Sequence, residues 1–187
     1  MAFSERKVAQ MAAYFLSRTD GNLPILKLMK LLYLADRKSL ELYGMPISGD
    51  RMVSMPHGPV LSRTYDLMTG SSPSGDDGWE CWIADREAHS VSLKPCEGQQ
   101  APDFSDLSDA DIEVLEAVQS DFGSMGKWQI RDYTHDHCAE WKDPQGSSYP
   151  IFYKDVFLAL GRSQEDALAA QQEIESYNEM DQLFARL

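Results

Sequence analysis

The chain has 187 residues, 43% of them apolar and 10% aromatic, which is enough for one domain with its own core. Its net charge is −13 and falls unevenly: residues 1–70 carry nine Lys/Arg against six Asp/Glu, residues 103–187 six against eighteen. That balance disfavours binding to DNA and suits basic partners or simple solubility; no apolar run approaches a transmembrane helix, and three cysteines, Cys81, Cys96 and Cys138, are too few for a disulfide framework, so a cytoplasmic setting is expected.

The N-terminus has charges followed by a short mixed stretch, which predicts an amphipathic helix rather than a signal peptide. Ser4 can cap this helix, which runs to about Arg18 with Val8, Met11, Ala12, Phe15 and Leu16 inward. Thr19 to Asn22 is a turn, and Pro24 suits the first turn of a second helix over about Ile25 to Tyr43. The apolar positions of that helix exceed half its circumference, so it belongs at the centre of the core. Gly44 stops it and Pro46 prevents continuation. Ile47 to Met55 reads as extended, with Arg51 and Ser54 outward; Gly58-Pro59 then opens a third helix to about Met68, with Pro59 at its first position.

Gly70 to Gly78 is a loop by composition. Trp79–Ile83 and Val91–Leu93 flank a polar stretch and predict a β-hairpin that must pack on helices to be stable. Cys96 to Phe104 is a second loop. Ser108 begins a helix to Phe122, with Asp109 and Asp111 favouring its first turn, and Lys127 to Cys138 forms another, with Trp128, Ile130 and Tyr133 apolar. A turn at Asp143 to Gly146 precedes an apolar stretch, Ile151 to Leu160. Ser163 opens a polar final helix whose sparse apolar stripe either closes the core or docks on a partner. The expected fold is mainly α (α+β): one helical domain of six to seven helices with a small β-hairpin near 79–94 packed on it. Residues 1–150 form its body and 151–187 a C-terminal helical extension.

Few residues suggest chemistry. In Thr134-His135-Asp136-His137-Cys138, His135 and Cys138 share a helix face, but His137 points elsewhere and nothing completes a four-ligand zinc set. The plainer reading is a helix end where His135 bonds to backbone and Trp141 packs nearby. His57 precedes Gly58-Pro59; it either contacts a ligand from an exposed position or fixes the turn as a buried imidazole. No Ser or Cys has a nucleophile context. Asp76-Asp77 reads as loop, Asp109 and Asp111 as helix-start chemistry. No catalytic residue, metal or cofactor is therefore assigned, and a binding module is favoured over an enzyme.

Several segments follow one another in a characteristic order and spacing: Lys30-Leu31-Leu32-Tyr33-Leu34-Ala35, Gly44-Met45-Pro46-Ile47, His57-Gly58-Pro59-Val60 with Tyr65, Leu107-Ser108-Asp109, and Thr134-His135 with Trp141. Over roughly residues 5–145 these resemble the Panacea domain family, the SocA-like antitoxins of bacteria and phages. The resemblance implies a mostly helical fold with a small β element. It also implies an antitoxin that neutralises a cognate protein toxin, encoded by an adjacent gene on a chromosome or prophage, through direct contact. The SocA type further implies an adaptor that delivers the toxin to an ATP-dependent protease. Candidate partner-binding residues are Tyr33, Arg51, Met55, His57, Arg63, Tyr65, His135 and Trp141. The rival from another class is a small metal-dependent or nucleotide-processing enzyme using His57, His135, His137 and Cys138.

Overall fold

A computed structural model describes residues 2–76, 78–84, 87–94 and 104–184; Asp77, Cys96 and most of the loop expected between Cys96 and Phe104 lie outside the described residues. In chain order the elements are α1 (Glu5–Ser17), β1 (Asn22–Pro24), α2 (Ile25–Tyr43), β2 (Met52–Met55), β3 (Gly58–Leu61), α3 (Ser62–Thr69), a 3-10 turn (Trp79–Cys81), β4 (Ser90–Ser92), α4 (Asp109–Phe122), α5 (Lys127–His137), β5 (Tyr149–Ile151), α6 (Tyr153–Ala159) and α7 (Gln164–Phe184). The fold is mainly α with small antiparallel sheets, as the sequence predicts.

Local chemistry sets the helix boundaries. The Ser4 hydroxyl accepts the Lys7 amide and opens α1. Ser108 and Asp111 close a reciprocal capping box at the start of α4. α2 ends where Gly44 turns left-handed, at φ 72°. Between those ends α2 is buried on both sides: Leu28, Leu31, Leu32 and Ala35 have no exposure, nor does Tyr33 on a neighbouring stripe. It is the axis of the core. α1, α4, α5 and α6 pack around it, and α7 closes over α6 through the buried Ala167 and Ile174.

One side chain and two segments differ from expectation: Ser54, read as outward, is buried and accepts the Lys142 amide. Gly58–Leu61 does not begin a helix; it is a strand paired antiparallel to β2, with Val53 opposite Val60 and Met55 opposite Gly58. Gly58 has φ +93°, outside the helical region, and α3 starts only at Ser62. Pro59 is tolerated because β3 is the edge of the three-stranded sheet β3-β2-β5, where a missing N–H removes no ladder bond on the open side. In the second case, Trp79–Cys81 is a 3-10 turn, and the two arms of the expected hairpin meet through isolated antiparallel bridges, Ile83 with Leu93 and Glu87 with Ser90, and through the Ala84 and Lys94 amides on the Ser92 and Trp82 carbonyls. The strand Ser90–Ser92 pairs instead with Asn22–Pro24, which the sequence reads as turn and helix start. The His89 carbonyl accepts the Ile25 amide and ties this pairing to the first turn of α2. Among the described residues, no helix is long and apolar enough to cross a membrane.

Candidate functional site

The central helix α2 carries a dense set of polar side chains inside the molecule. Within two turns of α2, four side chains reach three distant segments. Lys30 is fully buried, and its Nζ donates to the Pro59 carbonyl at 2.7 Å. Burial drives its pKa down to about 7. Tyr33 Oη donates to Glu140 Oε1 at 2.5 Å and Arg37 Nε donates to the same oxygen at 2.7 Å. Burial first, and the Glu140 carboxylate second, push the Tyr33 phenol well above its ordinary value. Asp36 accepts the Ile47 and Ser48 amides and the Ser48 hydroxyl, and burial raises its pKa to about 7. Asp50 ties the sheet to α3 by accepting the Arg63 and Thr64 amides and the Thr64 hydroxyl. These groups hold the β2–β3 hairpin and the segment after α5 against α2. Buried polar groups of this kind are stable only when their partners are supplied.

The hairpin so fixed forms one wall of a cleft of about 660 Å³. Met29, Val60 and Tyr65 line its apolar interior, the Met55–Gly58 turn one edge, and the starts of α2 and α5 another. Trp128, in the first turn of α5, stands at the rim with half its surface exposed. Its ring lies edge-on to His57 at 6.2 Å, with Lys127 Nζ at 5.4 Å and the Arg131 guanidinium at 4.9 Å from its centroid. His89 also lines the cleft.

The eight sequence candidates do not form one surface. Met55, His57 and Tyr65 line the cleft together. His57 is exposed, so the buried-imidazole reading of it does not hold. His135 and Trp141 stack at 3.9 Å and nearly parallel behind the hairpin turn, and Trp141 Nε1 donates to the Met55 carbonyl at 3.0 Å. They position the cleft edge rather than line it. The expected backbone bond from His135 is not made through Nε2, which is buried with no hydrogen-bond partner; burial and then the Lys30 charge lower its pKa. Tyr33, expected at an interface, is wholly buried with its hydroxyl on Glu140, so it has no surface to offer. Arg63 lies over the Phe3 ring at 5.1 Å. Arg51 lines a separate depression that Glu175 and Asn178 of α7 also line.

Lys127 and Trp128 at the rim, and Lys30 and His89 in the walls, were not singled out by the sequence. The available signal was a Lys-Trp pair directly after Gly126 at a helix start, a place where a large aromatic has little helix to bury against. The residues of the metal reading are dispersed. His57 faces Trp128, His135 stacks on Trp141, and His137 stacks on Tyr133 at 4.3 Å with Nδ1 at its carbonyl. Cys138 is buried, its thiol pushed up to about 12 by burial and then Glu140, far from a thiolate nucleophile. Among the described residues, no three His, Cys, Asp or Glu side chains gather as metal ligands.

A family model described as antitoxin SocA-like, Panacea domain, matches residues 28–142. That span runs from the first turn of α2 through Trp141 and contains every polar anchor of the hairpin described above. No curated protein and no solved structure matches the chain.

Proposed function

The chain belongs to the SocA-like, Panacea-domain antitoxin family, and from that premise we propose that it neutralises a cognate protein toxin by direct, stoichiometric binding. The observation that carries this reading is the cleft. It is built mostly from the family-matched segment, is apolar inside, and has a half-exposed tryptophan on its rim. Tryptophan, tyrosine and arginine are the side chains that most often dominate protein–protein binding energy. Occluding a toxin's active or substrate-binding face requires no chemistry from the antitoxin, only a rigid complementary surface. The anchors Lys30, Asp36, Asp50 and Trp141 support such rigidity, because each fixes backbone of the hairpin or its flanks by a hydrogen bond. The expected site of action is the cytoplasm, with the toxin encoded by a neighbouring gene.

The test is co-expression with the product of the adjacent open reading frame, scoring growth, co-purification and toxin half-life. A neighbour that is toxic alone, harmless together with this chain and retained on a tagged copy, with unchanged half-life, supports neutralisation by binding. Rescue accompanied by faster toxin loss supports the protease-adaptor role instead. Toxicity that persists under co-expression rejects both.

A further inference from the structure

The charge of the cleft is opposite to that of the molecule around it. The chain carries 30 Asp and Glu residues, yet none is among the described residues lining the cleft, whereas Lys127 lines its rim and Lys30 its wall, with the imidazoles of His57 and His89 beside them. The Arg131 guanidinium also lies against the Trp128 ring, its charge shared with Asp132, to whose carboxylate Nε and Nη2 both donate. Two long helices also begin at the cleft, since Ile25 and Leu26 of α2 and Lys127 and Trp128 of α5 line it. Two of their amides are already engaged, Ile25 N–H by the His89 carbonyl and Gly126 N–H by Gln129 Oε1. The helix dipoles still point their positive ends towards the cleft. The interior is apolar, formed by Met29, Val60 and Tyr65. A cation-rimmed apolar slot in an acidic protein selects against the basic segments that the rest of its surface attracts.

We propose that this cleft receives an acidic segment of the partner protein, seating one large apolar side chain against Met29, Val60 and Tyr65 and placing carboxylates at Lys127, His57 and the starts of α2 and α5. The proposal rests on the neutralisation reading and specifies its interface. The occupant stacks its apolar anchor beside Trp128, and its negative charges face Lys127 at that ring. Association is steered by this local field despite the overall negative charge of the chain, so it weakens as salt rises.

The experiment titrates the full-length chain with the purified adjacent-frame toxin at low and high salt, for the wild type and for Lys127→Glu, Trp128→Ala and Phe152→Ala. Phe152 is exposed on a different groove and serves as the control. The expected result is a loss of affinity of about tenfold or more for Lys127→Glu and Trp128→Ala, little change for Phe152→Ala, and a flatter salt dependence for Lys127→Glu. Overlapping peptides spanning the toxin, captured on the wild-type chain, should retain acidic segments with an aliphatic or aromatic residue. A complex that forms and neutralises with both cleft variants as with the wild type would overturn the cleft proposal and leave the neutralisation reading standing. Retained peptides that are basic would also overturn it. So would a toxin-independent dimer of this chain that Trp128→Ala dissolves, which would make a second copy the occupant. Quenching of Trp128 by inorganic phosphate with toxin affinity unchanged would place a small anion there instead. Absence of any complex or rescue in the wild type removes the neutralisation reading and this proposal together.

Discussion

Tyr33 on α2 and Glu140 after α5 are 107 residues apart in sequence and 2.5 Å apart at their oxygens, with Arg37 donating to the same Glu140 oxygen at 2.7 Å. The contact closes the segment after α5 onto the central helix, and through Trp141, the next residue, it sets the Met55 edge of the cleft. Removing the carboxylate leaves a phenol and a guanidinium without their shared acceptor in a buried setting. Glu140→Ala should therefore cost about 3 kcal/mol of unfolding free energy, and Tyr33→Phe, which removes one donor and leaves the Arg37 pair, about 1 kcal/mol. Chemical denaturation of the two variants measures this; equal losses would show that Arg37 does not hold Glu140 by itself.

Gly58 is confined twice. Its φ is +93°, and a Cβ built on it would stand 2.7 Å from Thr134 Oγ1 and 3.0 Å from Lys30 Nζ. Gly58→Ala should lose about 2 kcal/mol from backbone strain and crowding combined. The displaced hairpin turn should also carry Met55 and His57 out of place, so toxin affinity falls along with the denaturation midpoint. A stable variant with full affinity would show that the turn absorbs a side chain without moving.

Asp36 should give the stability a pH dependence of definite sign. Its folded pKa of about 7 lies above the unfolded 3.8, because burial outweighs the hydrogen bonds from Ser48 and Ile47. The native state thus holds this proton more tightly than the unfolded chain does. The resulting contribution favours folding in full below pH 3.8 and is lost as pH rises through about 7. Asp36→Asn retains a side-chain acceptor for the backbone amides and lacks the titration. Stability of the wild type relative to Asp36→Asn should therefore fall between those pH values and level off above them. A flat difference across that window would mean that the carboxylate ionises as it does in water.

Ala88 sits at φ 46° in the turn that leads His89 to the start of α2. This is left-handed backbone, which an L side chain resists and glycine accepts. Ala88→Gly should raise stability by about 0.5–1 kcal/mol, since the relieved strain exceeds the added unfolded-state entropy. Thermal melting tests it; a lower Tm would show that the Ala88 methyl contributes packing that outweighs the strain.

The helices were legible because each carries its own start and stop. Ser4, Ser108 and Gly44 act through hydrogen bonds or backbone angles within a few residues, and the apolar breadth of α2 identifies a central helix whatever surrounds it. Gly58-Pro59 departs from its local pattern, although the same local signals mark the helices correctly. The pair looks like a helix start locally, and only pairing with Met52–Met55, together with Lys30 on the Pro59 carbonyl, makes it an edge strand. Asn22–Pro24 has no strand signature of its own, because its partner Ser90–Ser92 lies some 70 residues away.

The same division runs through the candidate site. Met55, His57 and Tyr65 could be singled out together because a short hairpin and the helix after it keep them near one another in sequence and in space. Tyr33 could not be assigned correctly, since burial depends on which distant carboxylate meets its hydroxyl. Trp128 and Lys127 became cleft residues only when the start of α5 was laid beside the Met55–Gly58 turn. By itself the sequence determined the mainly helical class, the helix caps, the central place of α2 and the family resemblance, all of which rest on local hydrogen bonding, periodicity and residue order. Tertiary structure alone decided which polar residues are buried anchors and which line the cleft, because exposure at a surface depends on contacts between segments that no local pattern records.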